Sequence, residues 1–268
     1  MKTTEEKVAD EKAFHNQWAK TIRVEDLLVR EAFEAPTAIE NRYVLEKFGD
    51  LRGKKILDLG CGAGESSVYF ALCGAQVSAC DLAEDFLALG RALAEKFHVT
   101  VDFAQAEASL LPYREETFDF VYGNGILHHV ELDPAVKEVC RVLKRGGKAA
   151  FIEPLSYNPV INIYRWMARD VRTEDEKPLT FRQLKDLGKH FSEMDHEEFW
   201  FFSLWIFVHF FVVKRWNPSK VRYWKKAIEA AGEYKDRFAG WHKMDRRWLA
   251  ACPFLRRFCW NTVLVGVK

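Results

Sequence analysis

Short apolar runs and longer amphipathic stretches alternate through the middle of this chain. Residues 56–59, 75–80, 99–103, 117–121 and 148–152 are short apolar runs of strand length. Between them, residues 65–72, 86–97 and 134–143 repeat apolar positions every three or four residues, as in Val136, Val139, Cys140 and Leu143, which is the period of a helix packed on a core. Strands that alternate with helices predict an α/β fold with a parallel sheet. Ahead of the first strand, Phe14, Trp18 and Ile22 share one helical face, and Ile39, Tyr43, Val44 and Phe48 share another, so residues 1–50 read as a helical cap or lid. Helices are expected from Asn158-Pro159 through Met167 and over 180–191, and two further strands over 194–203 and 261–267.

The first strand is the most informative stretch. Ile56-Leu57-Asp58-Leu59 runs straight into Gly60-Cys61-Gly62-Ala63-Gly64, and Glu65 opens the next helix. A strand, a glycine turn and a helix start form a nucleotide cradle, because glycines let a ligand approach the backbone where a Cβ would block it. A dinucleotide fingerprint places its third glycine where Glu65 stands. An acid there repels a pyrophosphate but tolerates a phosphate-free ligand with a positive sulfonium. Asp81 lies 23 residues beyond Asp58, at the end of the second strand, where a carboxylate accepts both hydroxyls of a ribose. Asp81-Leu82-Ala83-Glu84 also fits a helix capping box, so Asp81 has a second reading as an N-cap.

The stretch Asp58 to Gly64 resembles motif I of the class I S-adenosylmethionine (SAM)-dependent methyltransferases, acidic-x-Gly-x-Gly-x-Gly. Further segments resemble the same family in the same order. Ala106-Glu107-Ala108-Ser109-Leu110-Leu111-Pro112-Tyr113 is similar to its Gly-Asp-Ala-x-x-Leu-Pro-Phe segment, with Glu107 for the usual Asp. Phe118-Asp119-Phe120-Val121 resembles its next strand, and Leu127-His128-His129-Val130 a motif of its small-molecule members. Arg141 to Gly147 resembles its turn before the fifth strand, with Arg145 for a proline. The resemblance implies a Rossmann-like, seven-stranded, mostly parallel sheet with an antiparallel last strand. It implies SAM as cofactor, with Asp58, Gly60, Gly62, Asp81, Leu82, Glu107, Ala108 and Asn124 as its binding residues. His128 or His129 becomes a candidate base for an acceptor that must lose a proton. Adjacent helical histidines diverge, so one of the pair is expected to face the pocket. His15 and Trp18 on the lid, and Glu153 at the end of the fifth strand, become candidate substrate contacts. Gly125-x-x-His128-His129 lacks the two carboxylates of the Glu-x-x-Glu-His metal site of some quinone O-methyltransferases, so no metal is expected by that route. Asn124-Gly125-Ile126 lacks the Asn-Pro-Pro-aromatic motif of the amino-methylases.

The last third changes character. All nine tryptophans lie outside residues 51–153, and seven fall between Trp200 and Trp260. Residues 199–213 are free of Asp, Glu, Lys and Arg, yet shorter than the roughly 20 apolar residues of a membrane span. Residues 214–257 hold 13 Lys or Arg against 4 Asp or Glu, while the chain as a whole carries +1. The family's closing hairpin is therefore split by a helical, aromatic and basic insertion over 204–257 within a methyltransferase domain of 51–268. That insertion reads as a self-packed subdomain, as the wall of an apolar pocket, or as a membrane-surface contact through 199–257. Binding of RNA is a weaker fourth reading.

Composition narrows the setting. The near-neutral charge gives no global reason to expect nucleic acid, and six cysteines without C-x-x-C spacing read as reduced thiols. Residues 1–20 are charged and lack an apolar signal core, which suggests a cytoplasmic protein, with membrane association left open. The expected activity is methyl transfer from SAM to a small or apolar acceptor on oxygen. The alternatives are a lipid or isoprenoid-quinone methyltransferase at a membrane surface, an RNA methyltransferase, and a SAM-binding protein without catalysis.

Overall fold

The computed structural model describes residues 3–168 and 176–268. Seven strands, β1 (Lys55–Leu59), β2 (Gln76–Asp81), β3 (Val101–Gln105), β4 (Phe118–Asn124), β5 (Leu143–Pro154), β6 (Glu193–Phe199) and β7 (Asn261–Val267), form one sheet in the order β3-β2-β1-β4-β5-β7-β6. Strands β1 to β5 are parallel, and β7 runs antiparallel to both β5 and β6. The chain leaves β1 toward β2 on one side and reaches β4 on the other. The strand order therefore reverses between β1 and β4, the crevice where ligands of open α/β sheets sit.

Eleven helices are present among the described residues: α1 (Thr4–Ala19), α2 (Glu31–Glu34), α3 (Ile39–Phe48), α4 (Glu65–Leu72), α5 (Glu84–Lys96), α6 (Leu132–Val142), α7 (Pro159–Met167), α8 (Phe181–Leu187), α9 (Trp205–Val212), α10 (Tyr223–Glu229) and α11 (Ala231–Ala251). Alternation along the strands divides the core in two. Ile56, Tyr122, Ala150, Ile152, Val263 and Val265 face one side, where α2, α3, α4 and the aromatics of the insertion cover them. Leu57, Leu59, Val121, Phe151 and Leu264 face the other, covered by α6 and α8.

The insertion is part of that first core layer. Phe207, Phe210, Tyr223, Tyr234 and Phe238 are buried with Phe33, Phe70 and Tyr122 in one apolar cluster. One polar tie fastens it to the cap, the Thr37 hydroxyl donating to the Ala227 carbonyl at 2.9 Å; beside it, the buried Glu40 carboxylate of the cap accepts from Trp200 Nε1 and, at 2.9 Å, from Asn261 Nδ2, on the two sides of the insertion. Burial pushes the Glu40 carboxyl above its ordinary range, against those bonds.

Several local expectations shift. Strand β6 stops at Phe199 rather than residue 203, because Trp200 takes a left-handed conformation (φ 70°) that turns the chain out of the sheet. Gly146 and Gly147 lie within the span of β5 and do not cap α6, which ends at Val142. A Cβ on Gly147 would stand 2.8 Å from the Lys144 carbonyl oxygen, so the glycine permits a tight bend at the strand entry. Residues 169–175 of the predicted charged stretch 169–177 lie outside the described residues. Its end is described: Glu176 pairs with Arg165 at 2.9 Å.

Candidate active site

The glycine turn after β1 has three positive-φ glycines, and they do different jobs. A Cβ on Gly60 would come within 2.7 Å of Ile126 Cδ1, and one on Gly64 within 3.0 Å of Gly90 Cα. Those two positions are small so that the loop after β4 and helix α5 can pack closely. At Gly60 the expectation that a bare backbone clears room for a ligand therefore gains a second, packing reason for glycine. Gly62 is different: a Cβ there meets nothing within 4 Å, so the turn presents open backbone at that one position. Its N–H donates to Asp81 Oδ2 at 2.9 Å.

Asp81 thus bridges two elements. Its other oxygen accepts from Ala83 N at 2.9 Å, while α5 begins at Glu84 with Ala83 as an N-cap that makes no side-chain bond. The capping-box reading is not realised. Each carboxylate oxygen retains acceptor capacity for a further donor. Beside it, Ala106 N donates to the Asp81 carbonyl at 3.1 Å and Gln105 Nε2 to the Leu82 carbonyl at 2.8 Å. These bonds bring the loop after β3 against the end of β2. Glu107 is exposed on that loop and accepts from the Ser109 hydroxyl at 2.5 Å, and Ala108 is buried beneath it. Asn124 ends β4 and is exposed at the same edge.

Asp58 sits behind the turn. It is fully buried and accepts from the Ser67 hydroxyl of α4 at 2.5 Å. Burial, opposed by that hydroxyl and reinforced by the Asp81 charge, pushes its carboxyl up to about 7. Burial also raises Asp81, and it raises Glu65, whose Oε1 accepts from Leu28 N at 3.1 Å and ties α4 to the cap. Three acids around one turn, Asp58 buried and Asp81 and Glu65 half-buried, make the site hospitable to a cation and hostile to a pyrophosphate.

The loop after β4 is held from below. Glu153 of β5 is fully buried; Oε1 accepts from Ile126 N (2.9 Å) and Leu127 N (2.7 Å), and Oε2 lies 2.7 Å from His128 Nδ1. Its oxygens are committed inside the protein, so the expectation that Glu153 faces substrate is corrected: it orients His128. With two backbone N–H bonds already on this carboxylate, the His128 contact is assigned as an Nδ1–H donor, which leaves Nε2 as the basic nitrogen.

The second histidine does not turn away. Leu127–His129 is a 3-10 turn, and the two imidazoles lie 4.1 Å apart at 40°. His129 Nδ1 is 3.3 Å from Glu11 of α1, and His15, one turn further along that helix, places Nε2 3.2 Å from the same carboxylate. Burial opposes charge on His129, yet the hydrogen bond and charge of Glu11 prevail and its pKa is raised. Glu11 is the residue that sequence reasoning missed. Its only local signal was the i,i+4 spacing to His15.

Helix α1 rests on the start of α5. Trp18 meets Phe86 edge-on at 5.2 Å and lies under the Arg222 guanidinium at 3.8 Å; His15 packs on Phe86; Asn16 Oδ1 accepts from Asp85 N at 3.0 Å. The predicted lid residues His15 and Trp18 are therefore brought to the same edge as His128, His129 and Asp81. Two cavities lie elsewhere, one of about 400 Å³ around Asp119 and Lys144–Lys148 and one of about 750 Å³ between α3 and α11.

The seven-stranded sheet has the Rossmann-like order that the motifs led one to expect, and the family model described as a methyltransferase domain matches residues 57–151. Among curated relatives, the ubiquinone biosynthesis O-methyltransferase of Bordetella parapertussis is 34% identical over 44% of this chain and 49% of the relative. The ubiquinone/menaquinone biosynthesis C-methyltransferase of Haemophilus ducreyi is 30% identical over 59% and 62%. The chain spans about half the length of the first of these relatives and somewhat more of the second. Among solved structures, a phosphoethanolamine N-methyltransferase 2 of Haemonchus contortus, in complex with phosphomonomethylethanolamine and S-adenosylhomocysteine, superposes with a TM-score of 0.56 at 20% identity, over 86% of this chain and 52% of that one. The [4+2]-cyclase SpnF gives 0.54 at 21%, over 85% and 80%. These likenesses establish the fold. That a cyclase shares it means the activity must be argued from the site.

Proposed function

We propose that this chain is a SAM-dependent methyltransferase that alkylates a hydroxyl of a small apolar acceptor. The observation that carries the reading is the His128–Glu153 pair at 2.7 Å, placed on the same sheet edge as the Gly62 cradle and Asp81. When bound, SAM supplies an electrophilic methyl on a positive sulfonium. The residues present fit such a ligand: Gly62 offers bare backbone, Asp81 has spare acceptor capacity for ribose hydroxyls, Glu107 or Ser109 for the adenine edge, and the buried acids suit its positive charge. Asp58 acts through Ser67 as a positioning group for the turn. His128 Nε2 takes the hydroxyl proton as the acceptor oxygen becomes a nucleophile, and Glu153 stabilises the imidazolium that results. Trp18 and His15 close the edge from above and exclude water.

That relatives are named for methyl transfer in ubiquinone and menaquinone biosynthesis supports an apolar, ring-bearing acceptor. A membrane-surface version is favoured by one observation: Trp205, Phe211, Val212 and Val213 are exposed on and just after α9, followed by Lys214 and Arg215. No helix among the described residues is long and apolar enough to cross a membrane.

The direct test follows radiolabel from SAM into cell extract divided into lipid, small-molecule and RNA fractions. Label in the lipid or small-molecule fraction, lost in His128→Ala, supports the reading. Label in RNA alone, or none together with no calorimetric binding of S-adenosylhomocysteine, overturns it. Flotation with anionic and neutral vesicles separates the membrane-surface version, which requires anionic-vesicle binding that Trp205→Ser and Phe211→Ser weaken.

A further inference from the structure

Glu11, His15 and His129 converge between the lid and the sheet edge. Glu11 and His15 lie one turn apart on α1, so both project from one face of that helix. His129 comes from the 3-10 turn after β4, 118 residues beyond Glu11. One carboxylate oxygen of Glu11 stands 3.2 Å from His15 Nε2 and 3.3 Å from His129 Nδ1, and the three ligand atoms all lie within 4.8 Å of one another. Neighbouring ligands of a tetrahedral ion bound at about 2.05 Å lie about 3.3 Å apart. Both Glu11 spacings match this value, and the two imidazole nitrogens, within 4.8 Å of each other, have at most about 1.5 Å to close.

We propose that Glu11, His15 and His129 form a site for one divalent first-row transition metal, which joins α1 to the turn after β4. Two imidazoles and one carboxylate suit zinc, iron(II), cobalt or nickel; magnesium and calcium prefer all-oxygen sets. Three protein ligands leave at least one position for water or an acceptor oxygen. The imidazoles are already held: His15 packs on Phe86 and Trp18, and His129 packs at 4.1 Å and 40° against His128, itself fixed by Glu153. A second group, His128, His129 and Glu176, also brings three ligand atoms together. It is the poorer site, because Arg165 already pairs with Glu176 at 2.9 Å. The assignment stands apart from the methyl-transfer reading, since it rests on ligand geometry and its test does not use activity.

The test titrates zinc into the metal-free full chain by competition calorimetry, with cobalt absorption as a second signal for nitrogen and oxygen ligation. The wild type should bind one zinc at least about 100-fold tighter than magnesium. Glu11→Gln and His15→Asn should each weaken zinc by at least the roughly 10- to 100-fold that loss of even an outer-shell partner costs. Glu176→Gln, and His196→Asn on β6, where Nδ1 lies 2.6 Å from Glu198 rather than at this site, should stay within about threefold of wild type. Circular dichroism melts identify variants that keep the fold, and the two ligand substitutions on α1 back each other up. Zinc should also slow hydrogen exchange across residues 4–19. Absence of saturable zinc binding, or loss of binding in Glu176→Gln with Glu11→Gln unaffected, overturns the assignment.

Discussion

Glu153 Oε2 lies 2.7 Å from His128 Nδ1, and the other oxygen of the same carboxylate holds the backbone N–H groups of Ile126 and Leu127. One buried acid thus sets both the shape of the loop after β4 and the orientation of the imidazole on it. Removing the base and removing its orienter should differ in a measurable way. His128→Ala should lower kcat by about 10²–10⁴-fold, the range of a general base, and leave S-adenosylhomocysteine binding within about threefold. Glu153→Gln should lower kcat and, because an amide replaces a carboxylate facing three donors, also cost about 1–3 kcal/mol in urea unfolding. Equal stability of Glu153→Gln and wild type would count against the buried network.

The contrast between Gly60 and Gly62 separates packing from binding. Both substitutions to Ala meet the left-handed backbone, costing about 1–2 kcal/mol. Gly60→Ala adds the clash with Ile126, so it should lower Tm further, with part recovered in Gly60→Ala/Ile126→Ala. Gly62→Ala should retain more stability and lose S-adenosylhomocysteine affinity instead. Calorimetry and thermal melts on the set decide it; affinity loss confined to Gly60→Ala would refute the division.

Asp81 is the ribose acceptor of the proposal. Asp81→Ala should reduce S-adenosylhomocysteine affinity by about 10- to 100-fold, the loss of two charge-assisted hydrogen bonds. Because Asp81 also accepts from Gly62 N and Ala83 N, Asp81→Asn, which keeps an acceptor oxygen, serves as the milder comparison. Unchanged binding in both variants would remove Asp81 from the site.

Asp58 makes a pH signature. Its carboxyl is raised to about 7 in the folded chain by burial, against about 3.9 in an unfolded one. A raised acid holds its proton more tightly when folded. Its contribution is therefore fully present below pH 4 and is lost as pH rises through 7. Between pH 5 and pH 8 the wild type should lose about 2–3 kcal/mol more stability than Asp58→Asn, where the position no longer titrates. Urea unfolding at the two pH values measures this, and parallel pH profiles would show that Asp58 does not hold the raised value.

Helix α1 is held on the edge by Trp18, stacked under Arg222, and by the Glu11 contacts. Arg222→Ala should remove about 0.5–2 kcal/mol of that hold and speed hydrogen exchange across residues 4–19. Exchange on α1 as slow as in β1, in both proteins, would rule out a lid that opens there.

By itself the sequence determined the sheet, its alternation with helices and the edge where the glycine turn meets Asp81. Those features are local: strand length, helical period, a glycine turn and an acid one strand later are all written within about 25 residues of chain. Tertiary structure decided the rest, because it depends on residues far apart. Only folding places Ile126 against Gly60 and so gives that glycine a packing role. Only the register of β5 beside β4 slides Glu153 under His128 and turns a substrate-facing candidate into a buried orienter. The aromatic insertion read as a self-packed subdomain, a pocket wall or a membrane-surface contact, yet much of it completes the core over α3 and α4 while Trp205 and Phe211 stay outside. Spacing within 125–129 argued against a metal. The ligand set proposed here takes its carboxylate from α1, and no local spacing can register a partner that arrives from the other end of the fold.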